Sequence, residues 1–427
     1  MTIPLSDLPR YARRNWLAYF ADYALFGLGI TFASPATVLP TFAAQLTTNK
    51  VLIGAVSAVW SGAWLLPQLL AANYVGGQAR KWPILMRSAW IGRPMFLAFA
   101  LFLVLGGARY PGLTLLLLIL GIGFFAGMDA LSAIAWFDML GKTLGPRARA
   151  RMMGAGQVTN GLLSFGAGAL IAYLLGERGQ AYPINYAVIF AAAGALFMVS
   201  MLACYFIVEP REEGTHTESV PLGQLLTHMV ALLRADPAFL RMNAARLLIG
   251  GAGMALPFYA IYALQELGFP LARVGVFVTV QTLGITLAGL AMGVLADRRG
   301  SHRVVQAIGL ASLAAPLLAL ALSGLGAGQA ALQEWLFPLV FGLTGLADGA
   351  VSLGYFNYIL DIAPPAKRPA YMGLANTLSG LLLIMPLIGG WVVQTASYRT
   401  AFALSAALVV PGVALAFTLT RPRSHSN

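Results

Sequence analysis

The chain has 427 residues, of which 59% are hydrophobic and only 10% are charged, and its mean hydropathy is +0.77. This composition excludes an ordinary soluble domain and predicts a polytopic membrane protein. The formal net charge of +12 does not indicate nucleic-acid binding, because the basic residues fall in short loops between apolar runs. The single cysteine, Cys204, excludes a disulfide within the chain.

Twelve apolar segments are long enough to cross a bilayer as helices, which takes about 20 residues each. A basic stretch before the first segment lacks the pattern of a cleavable signal peptide. We predict an N-terminal six-helix bundle over 1–208, a cytoplasmic linker over 209–237 with an amphipathic piece from Pro221 to Arg234, and a C-terminal six-helix bundle over 238–427. The predicted segments are 16–44, 51–75, 82–105, 112–140, 152–176, 182–208, 238–265, 274–296, 304–324, 332–360, 369–393 and 400–420.

The basic residues predict the orientation of these segments. Nineteen of the 27 Lys and Arg residues fall in the termini and in the loops on the same side as the termini, five fall in the opposite loops, and three lie inside segments. Because cytoplasmic loops carry the excess of basic residues, both termini are predicted to be cytoplasmic in a multi-pass protein of the cytoplasmic (inner) membrane.

The two halves contain a direct internal repeat. A shift of 219 residues brings segment four onto segment ten without gaps, so that Gly123 meets Gly342, Asp129 meets Asp348 and Pro146 meets Pro365. Parallel repeats of this kind relate the halves of some transporters about the membrane normal. The sequence therefore predicts two pseudo-symmetric halves.

A short charged turn separates segments eight and nine. Gly293 precedes the pair Asp297–Arg298, and Gly300 and Arg303 follow it. We expect Gly293 to allow close helix packing, Asp297 to accept hydrogen bonds from backbone N–H groups at a helix start, and Gly300 to adopt a positive φ.

This turn resembles the signature cytoplasmic loop of the major facilitator superfamily. The resemblance implies an all-α membrane fold of twelve transmembrane helices in two six-helix halves, and a transporter that alternates access to one central site. The first-half counterpart of the turn, Ala71 to Lys81, has no Asp, and segment five lacks the antiporter Gly-Pro motif. Segment one, with Gly29, Pro35 and Pro40, is similar to the pattern of drug exporters, which favours export.

Five charged residues inside predicted segments are candidate substrate or proton-coupling residues: Asp22, Arg93, Asp129, Arg246 and Asp348. A charge at the centre of a spanning helix costs about 2.5–3.5 kcal/mol on insertion scales, so each needs a reason to be there. The resemblance places the helices of all of these except Arg93 around a central cavity. Their acids outnumber their bases, which hints at cationic or neutral cargo.

Depth along the helices predicts partners for these charges. Arg93 and Asp129 lie at similar distances from the cytoplasmic face, which predicts a buried ion pair, structural rather than functional. Asp348 either binds Arg246 or is free to exchange a proton, and a polar helix–helix contact is an equal alternative. Asp22 is expected to reach headgroup water.

A second motif predicts a cytoplasmic latch. Asp361 and Arg368 bracket the end of segment ten with a spacing that resembles a charge motif of sugar porters. We expect Asp297, Arg298 and Arg368, with their neighbours, to lie together and to hold the cytoplasmic side shut.

No nucleotide-binding loop and no metal-spaced His or Cys cluster occurs in the sequence, so we expect no enzyme activity, no cofactor and no metal site. The predicted function is a secondary active transporter of a small molecule, coupled to protons, that works as a monomer in the lipid bilayer. A proton-independent facilitator, an importer of sugars or other metabolites, and a membrane sensor that has lost transport remain alternatives.

Overall fold

The computed structural model describes residues 2–3, 8–66, 74–75, 77–210, 233–364 and 367–420. Apart from a parallel pairing of β1 (Thr2–Ile3) with β2 (Glu209–Pro210), the regular elements of this part of the chain are helices. The amphipathic piece predicted from Pro221 lies outside the described residues as far as residue 232. The all-α membrane fold predicted from the sequence is confirmed.

The chain forms two compact units. One comprises Met1–Thr47 and Val59–Ser219, and the other comprises Thr48–Ala58 and Val220–Asn427. The boundary near residue 219 falls inside the predicted linker. The sequence did not indicate that Thr48–Ala58 belongs with the second unit.

Eight helices are described between residues 8 and 204, leaving aside the undescribed residues 67–73 and 76. The third begins within the second unit and ends in the first. These helices are α1 (Leu8–Phe32), α2 (Val38–Leu46), α3 (Lys50–Leu65), α4 (Trp82–Gly92), α5 (Met95–Val104), α6 (Pro111–Thr143), α7 (Pro146–Leu175) and α8 (Ile184–Cys204).

From residue 233 to residue 420, the described part of the second unit contains ten further helices and several tighter or wider turns. The helices are α9 (Pro237–Ile249), α10 (Phe258–Gln265), α11 (Arg273–Arg299), α12 (Ser301–Ser323), α13 (Ala330–Leu336), α14 (Pro338–Val351), α15 (Asn357–Ile362), α16 (Arg368–Ser379), α17 (Met385–Thr395) and α18 (Tyr398–Phe417). Turns of 3₁₀ type cover Gly250–Met254 and Gly380–Ile384, and a π-helix covers Ser352–Phe356.

Within the described residues, ten helices, several of them counted across a break, are long and apolar enough to span a membrane. The first predicted segment is divided into α1 and α2, and residues 67–73 of the second lie outside the described part of the chain. The predicted count of twelve therefore stays a prediction.

Prolines explain where the long segments break. Pro94, Pro257, Pro338 and Pro386 each lie at, or directly after, the junction of two helical pieces. A proline has no N–H to donate and its ring crowds the preceding turn, so it interrupts the helical hydrogen-bond ladder.

The internal repeat is visible in how helices pack within each unit. In the first unit α1 packs against α8. The segment formed by α4 and α5 packs against α6 and α8. In the second unit α9 packs against α18, and α12 packs against α14 and α18. These are equivalent pairs in the two halves, so the predicted pseudo-symmetry is confirmed.

Glycines bring α11 and α14 unusually close together. A Cβ on Gly345 would lie 2.0 Å from the carbonyl oxygen of Gln281, and a Cβ on Gly284 would lie 2.3 Å from that of Gly342. Any larger side chain would push these backbones apart. Close backbone approach through small residues is how helices associate in lipid, where apolar burial gives little driving force.

Polar contacts at the start of α3 explain its place in the second unit. The backbone N–H of Lys50 donates to Gln394 (2.9 Å), and its ammonium donates to Gln265 (2.8 Å) and lies 5.3 Å from the centre of the Tyr398 ring. A Cβ on Gly390 would lie only 2.4 Å from the carbonyl oxygen of Lys50, so the backbones approach closely there. This end of α3 is thus bound to α10, α17 and α18.

Candidate functional site

The first group of buried charges centres on Arg93, at the break between α4 and α5. The Nη1 atom of Arg93 lies 3.3 Å from an Asp22 carboxylate oxygen, and it donates to the hydroxyl of Ser200 (2.6 Å) and the carbonyl of Phe197 (3.2 Å). The guanidinium also lies 5.0 Å from the centre of the Phe26 ring. Only 5% of Arg93 and 4% of Asp22 is exposed. The two residues therefore form a desolvated ion pair with further hydrogen bonds.

The predicted partner of Arg93 was wrong. Arg93 and Asp129 are not within ion-pairing distance, and Asp129 instead accepts a hydrogen bond from the indole N–H of Trp64 (3.2 Å). Distance along a helix gives depth but does not say toward which neighbour a side chain turns. The guanidinium turns toward α1 and α8, where Asp22 and Ser200 lie. The expectation that Asp22 reaches headgroup water was wrong for the same reason.

The similar depths predicted for Arg93 and Asp129 agree with their positions beside one cavity. A pocket of about 170 Å³ lies within the first unit, and Arg93 and Asp129 both line it. Its walls are mostly aromatic, with two carboxyl groups and one guanidinium. The lining residues are Asp22, Tyr23, Phe26, Trp64, Leu85, Arg93, Asp129, Ser132, Ala133, Trp136 and Phe137. We refer to this space as the aromatic pocket.

Arg246 lies in a different setting, in α9 of the second unit. Its guanidinium lies 5.1 Å from the ring centre of Tyr355 and 5.8 Å from that of Phe356, and donates a long hydrogen bond to the carbonyl of Ala375 (3.5 Å). Tyr355 and Phe356 belong to the π-helix, whose wider turn interrupts the segment that also carries Asp348. Turns of π type are frequent at functional sites.

Asp348 does not bind Arg246, so one of the predicted alternatives is excluded. Among the described residues, Asp348 has neither an ion-pair partner nor a hydrogen-bond partner, and its side chain is exposed in the fold. Its repeat mate Asp129 is half-buried and hydrogen-bonded to Trp64. The two repeat-related carboxyl groups therefore differ in their surroundings.

The charged turn confirms one expectation and corrects two others. A Cβ on Gly293 would meet nothing within 4 Å, so the expectation of close helix packing at this glycine was wrong. Gly300 has a φ of 91° and is the single residue between α11 and α12, as its predicted role requires. Asp297 lies in the last turn of α11 rather than at a helix start, and within the described chain it makes no hydrogen bond to the start of α12. The positive φ of Gly300 turns the chain after α11 has already passed Asp297. The other members, Gly293, Arg298 and Arg303, lie on α11 or the first turn of α12, and Arg303 donates to Gln306 (3.0 Å).

The predicted latch residues are joined through a serine. The hydroxyl of Ser301 donates to Asp361 (2.5 Å), so the charged turn lies beside the end of segment ten. Arg368 donates to the carbonyl of Leu360 (3.1 Å) and is not ion-paired with Asp297. Both ions are exposed, and hydration competes with an ion pair there.

Trp64 is the residue of this site that the sequence analysis missed. Tryptophan favours the membrane interface, where its N–H finds water. Trp64 instead lies well inside the second predicted segment, and that position is a signal that its N–H needs a buried acceptor.

The second half of the chain matches a family model. Residues 245–427 match the model described as Major Facilitator Superfamily. The fold is shared over nearly the whole chain with two solved transporters. The nucleoside transporter NupG aligns at a TM-score of 0.67 and 14% identity, covering 96% of this chain and 99% of its own. A D-xylose–proton symporter aligns at a TM-score of 0.70 and 13% identity, covering 98% of this chain and 100% of its own.

The match to the major facilitator superfamily covers less than half of the chain. Two curated relatives, from two strains of Mycobacterium tuberculosis, are described as uncharacterized MFS-type transporters and are each 24% identical to it over 273 residues. That match covers 63% of this chain and 57% of each relative, so the chain spans less than two thirds of their length. These relatives and the two solved structures are all described as transporters or symporters.

Proposed function

We propose that this protein is a member of the major facilitator superfamily and a secondary active transporter that moves a small molecule across the cytoplasmic membrane by alternating access, driven by protons and in the direction of export. One observation carries the coupling proposal. Asp348 is an acidic residue inside a spanning segment and has no partner among the described residues. It is the repeat mate of Asp129. An ionisable residue inside such a segment is a candidate for a substrate or ion pathway.

The asymmetry between the halves supports this assignment. Arg93 is neutralised by Asp22, and Arg246 is stacked on aromatic rings, so neither cation fixes the charge of Asp348. A carboxyl group without a fixed counter-ion can take up a proton on one side of the membrane and release it on the other.

Two alternatives keep specific support. The superfamily neighbours named as a nucleoside transporter and a D-xylose–proton symporter favour metabolite transport, which does not require export. A membrane sensor on the same fold would bind a ligand and move none. Measuring substrate movement in proteoliposomes, with and without a pH gradient, separates proton-driven transport, facilitated diffusion and binding alone. A ligand to start from can be found by a thermal-shift screen of metabolites and drugs, because a bound ligand stabilises the folded state.

We further propose that the protein works as a monomer with both termini and the 209–237 linker in the cytoplasm, from the nineteen-to-five distribution of basic residues. Single cysteines placed in the linker or termini, in a background with Cys204 replaced, are expected to resist an impermeant thiol reagent in intact cells. A cysteine in the predicted outer loop at Arg178 serves as the labelled control. Labelling of the linker from outside would reverse the proposed orientation.

A latch at the charged turn is the next proposal. Ser301 holds Asp361 beside the turn, and several weak exposed interactions acting together can bias two conformations of near-equal energy. We expect Asp297→Asn to slow transport and to raise the labelling of a cysteine introduced at Ser352, while the protein stays folded. Arg303→Gln, which loses a local contact to Gln306 only, is the matched control. Normal transport together with unchanged labelling would exclude the latch.

A further inference from the structure

We propose that the aromatic pocket of the first unit binds the transported substrate and that this substrate is a small monovalent organic cation. The inference rests on the proposed transport function only in that the bound molecule is taken to be the cargo. Its basis is the charge, the walls and the volume of the pocket.

The charge of the pocket favours a cation. Asp22 and Arg93 neutralise each other, and the Nη1 atom of Arg93 is already engaged by Asp22, Ser200 and Phe197. Asp129 keeps its negative charge uncompensated by direct contact, because Trp64 is its only hydrogen-bond partner among the described residues. A single positive charge on the ligand would therefore bring the pocket to neutrality, whereas an anion would face Asp129 in a poorly solvated space.

The walls favour an organic cation over a hydrated metal ion. Tyr23, Phe26, Trp64, Trp136 and Phe137 all line the pocket, and aromatic faces attract alkylated ammonium groups through their π electrons. Phe26 already carries one cation on its ring, the guanidinium of Arg93 at 5.0 Å. Trp136 is held in place by Tyr19, edge-on at 5.2 Å, and by Tyr23, stacked at 6.3 Å.

The volume sets the size of the ligand. At about 170 Å³ the pocket is slightly larger than the ~150 Å³ cavity that accommodates benzene in an engineered protein. A ring-sized or compact alkylated ammonium compound fits this space, and a large multi-ring drug does not.

The test is isothermal titration calorimetry on the purified full-length protein with two probes of matched size and opposite charge, phenyltrimethylammonium and benzenesulfonate. We expect the cation to bind and the anion not to bind. Asp129→Asn should weaken binding of the cation by at least about tenfold. Asp138→Asn is the matched control, because Asp138 lies on the same helix, does not line the pocket and is paired with Lys142 at 2.7 Å.

A second variant keeps the test decisive if Asp129→Asn does not fold. Ala133→Leu adds bulk to a lining residue without changing any charge, and it should also abolish binding of phenyltrimethylammonium. Binding of benzenesulfonate in preference, or cation binding that survives both variants, would overturn the proposal. Cation binding without gradient-driven movement in proteoliposomes would instead overturn the proposed transport function and leave this site standing. Proton-driven transport of another compound, without cation binding, would overturn this site and leave the proposed transport function standing.

Discussion

Replacing Asp22 by Asn is expected to destabilise the protein severely. The substitution leaves the Arg93 guanidinium in a site where only 5% of the residue is exposed, with neutral partners alone. Removing one member of a buried ion pair costs about 3–5 kcal/mol, because the remaining charge stays desolvated and uncompensated. Thermal unfolding of the detergent-solubilised protein, followed by size-exclusion chromatography, should show a lower melting temperature and loss of the monodisperse peak.

Two variants show whether the loss comes from the stranded charge. Asp129→Asn keeps an oxygen that can accept from Trp64 and leaves the Asp22–Arg93 pair intact, so its melting temperature should change much less. The double variant Asp22→Asn with Arg93→Met removes the stranded charge and should recover much of the stability, as replacing buried ion pairs by apolar residues often does. If Asp129→Asn is the more damaging single change, the pairing seen here does not determine stability.

The parts of the fold that follow from periodicity and length could be predicted from the sequence. The apolar runs gave the membrane class, and the shared register of Asp129 and Asp348 gave the two-fold repeat that the helix packing confirms. The positive φ of Gly300 followed from the need for a one-residue turn between two spanning helices. Each of these inferences depends on the residue pattern and needs no knowledge of tertiary contacts.

The partners of the buried charges could not be predicted in this way. Spacing along a helix set the depths of Arg93 and Asp129 correctly, yet the choice between Asp22 and Asp129 depends on how α4 is rotated about its axis. That rotation is fixed by packing against α6 and α8, which involves residues far apart in the sequence.

The surroundings of Arg246 show a second reason. Its contact with Tyr355 and Phe356 depends on the π-helix at Ser352–Phe356, where the turn widens relative to an α-helix. At the repeat-related position in the first unit, α6 continues as a regular helix from Pro111 to Thr143. The residue pattern of the two segments is alike, so the difference comes from tertiary packing and not from the pattern.

Asp348→Asn is expected to abolish the accumulation of substrate that a pH gradient drives in proteoliposomes. The amide is close in size to the carboxyl group but cannot exchange a proton, and no partner among the described residues depends on its charge. Binding of substrate, and its exchange across the membrane at equal pH, should therefore be preserved. Preserved exchange would show that the variant is folded and still changes conformation.

Asp348→Glu is the matched control, since it keeps a titratable carboxyl group on the same turn of the helix and should retain part of the gradient-driven accumulation. Substitution of Asp22 is expected to give a different result. Because Asp22 is bound to Arg93, its substitution affects folding before proton coupling. If Asp348→Asn still concentrates substrate against its gradient, the proton passes through another group. Asp129, the remaining acid of the repeat without an ion-pair partner, would then be the group to substitute next.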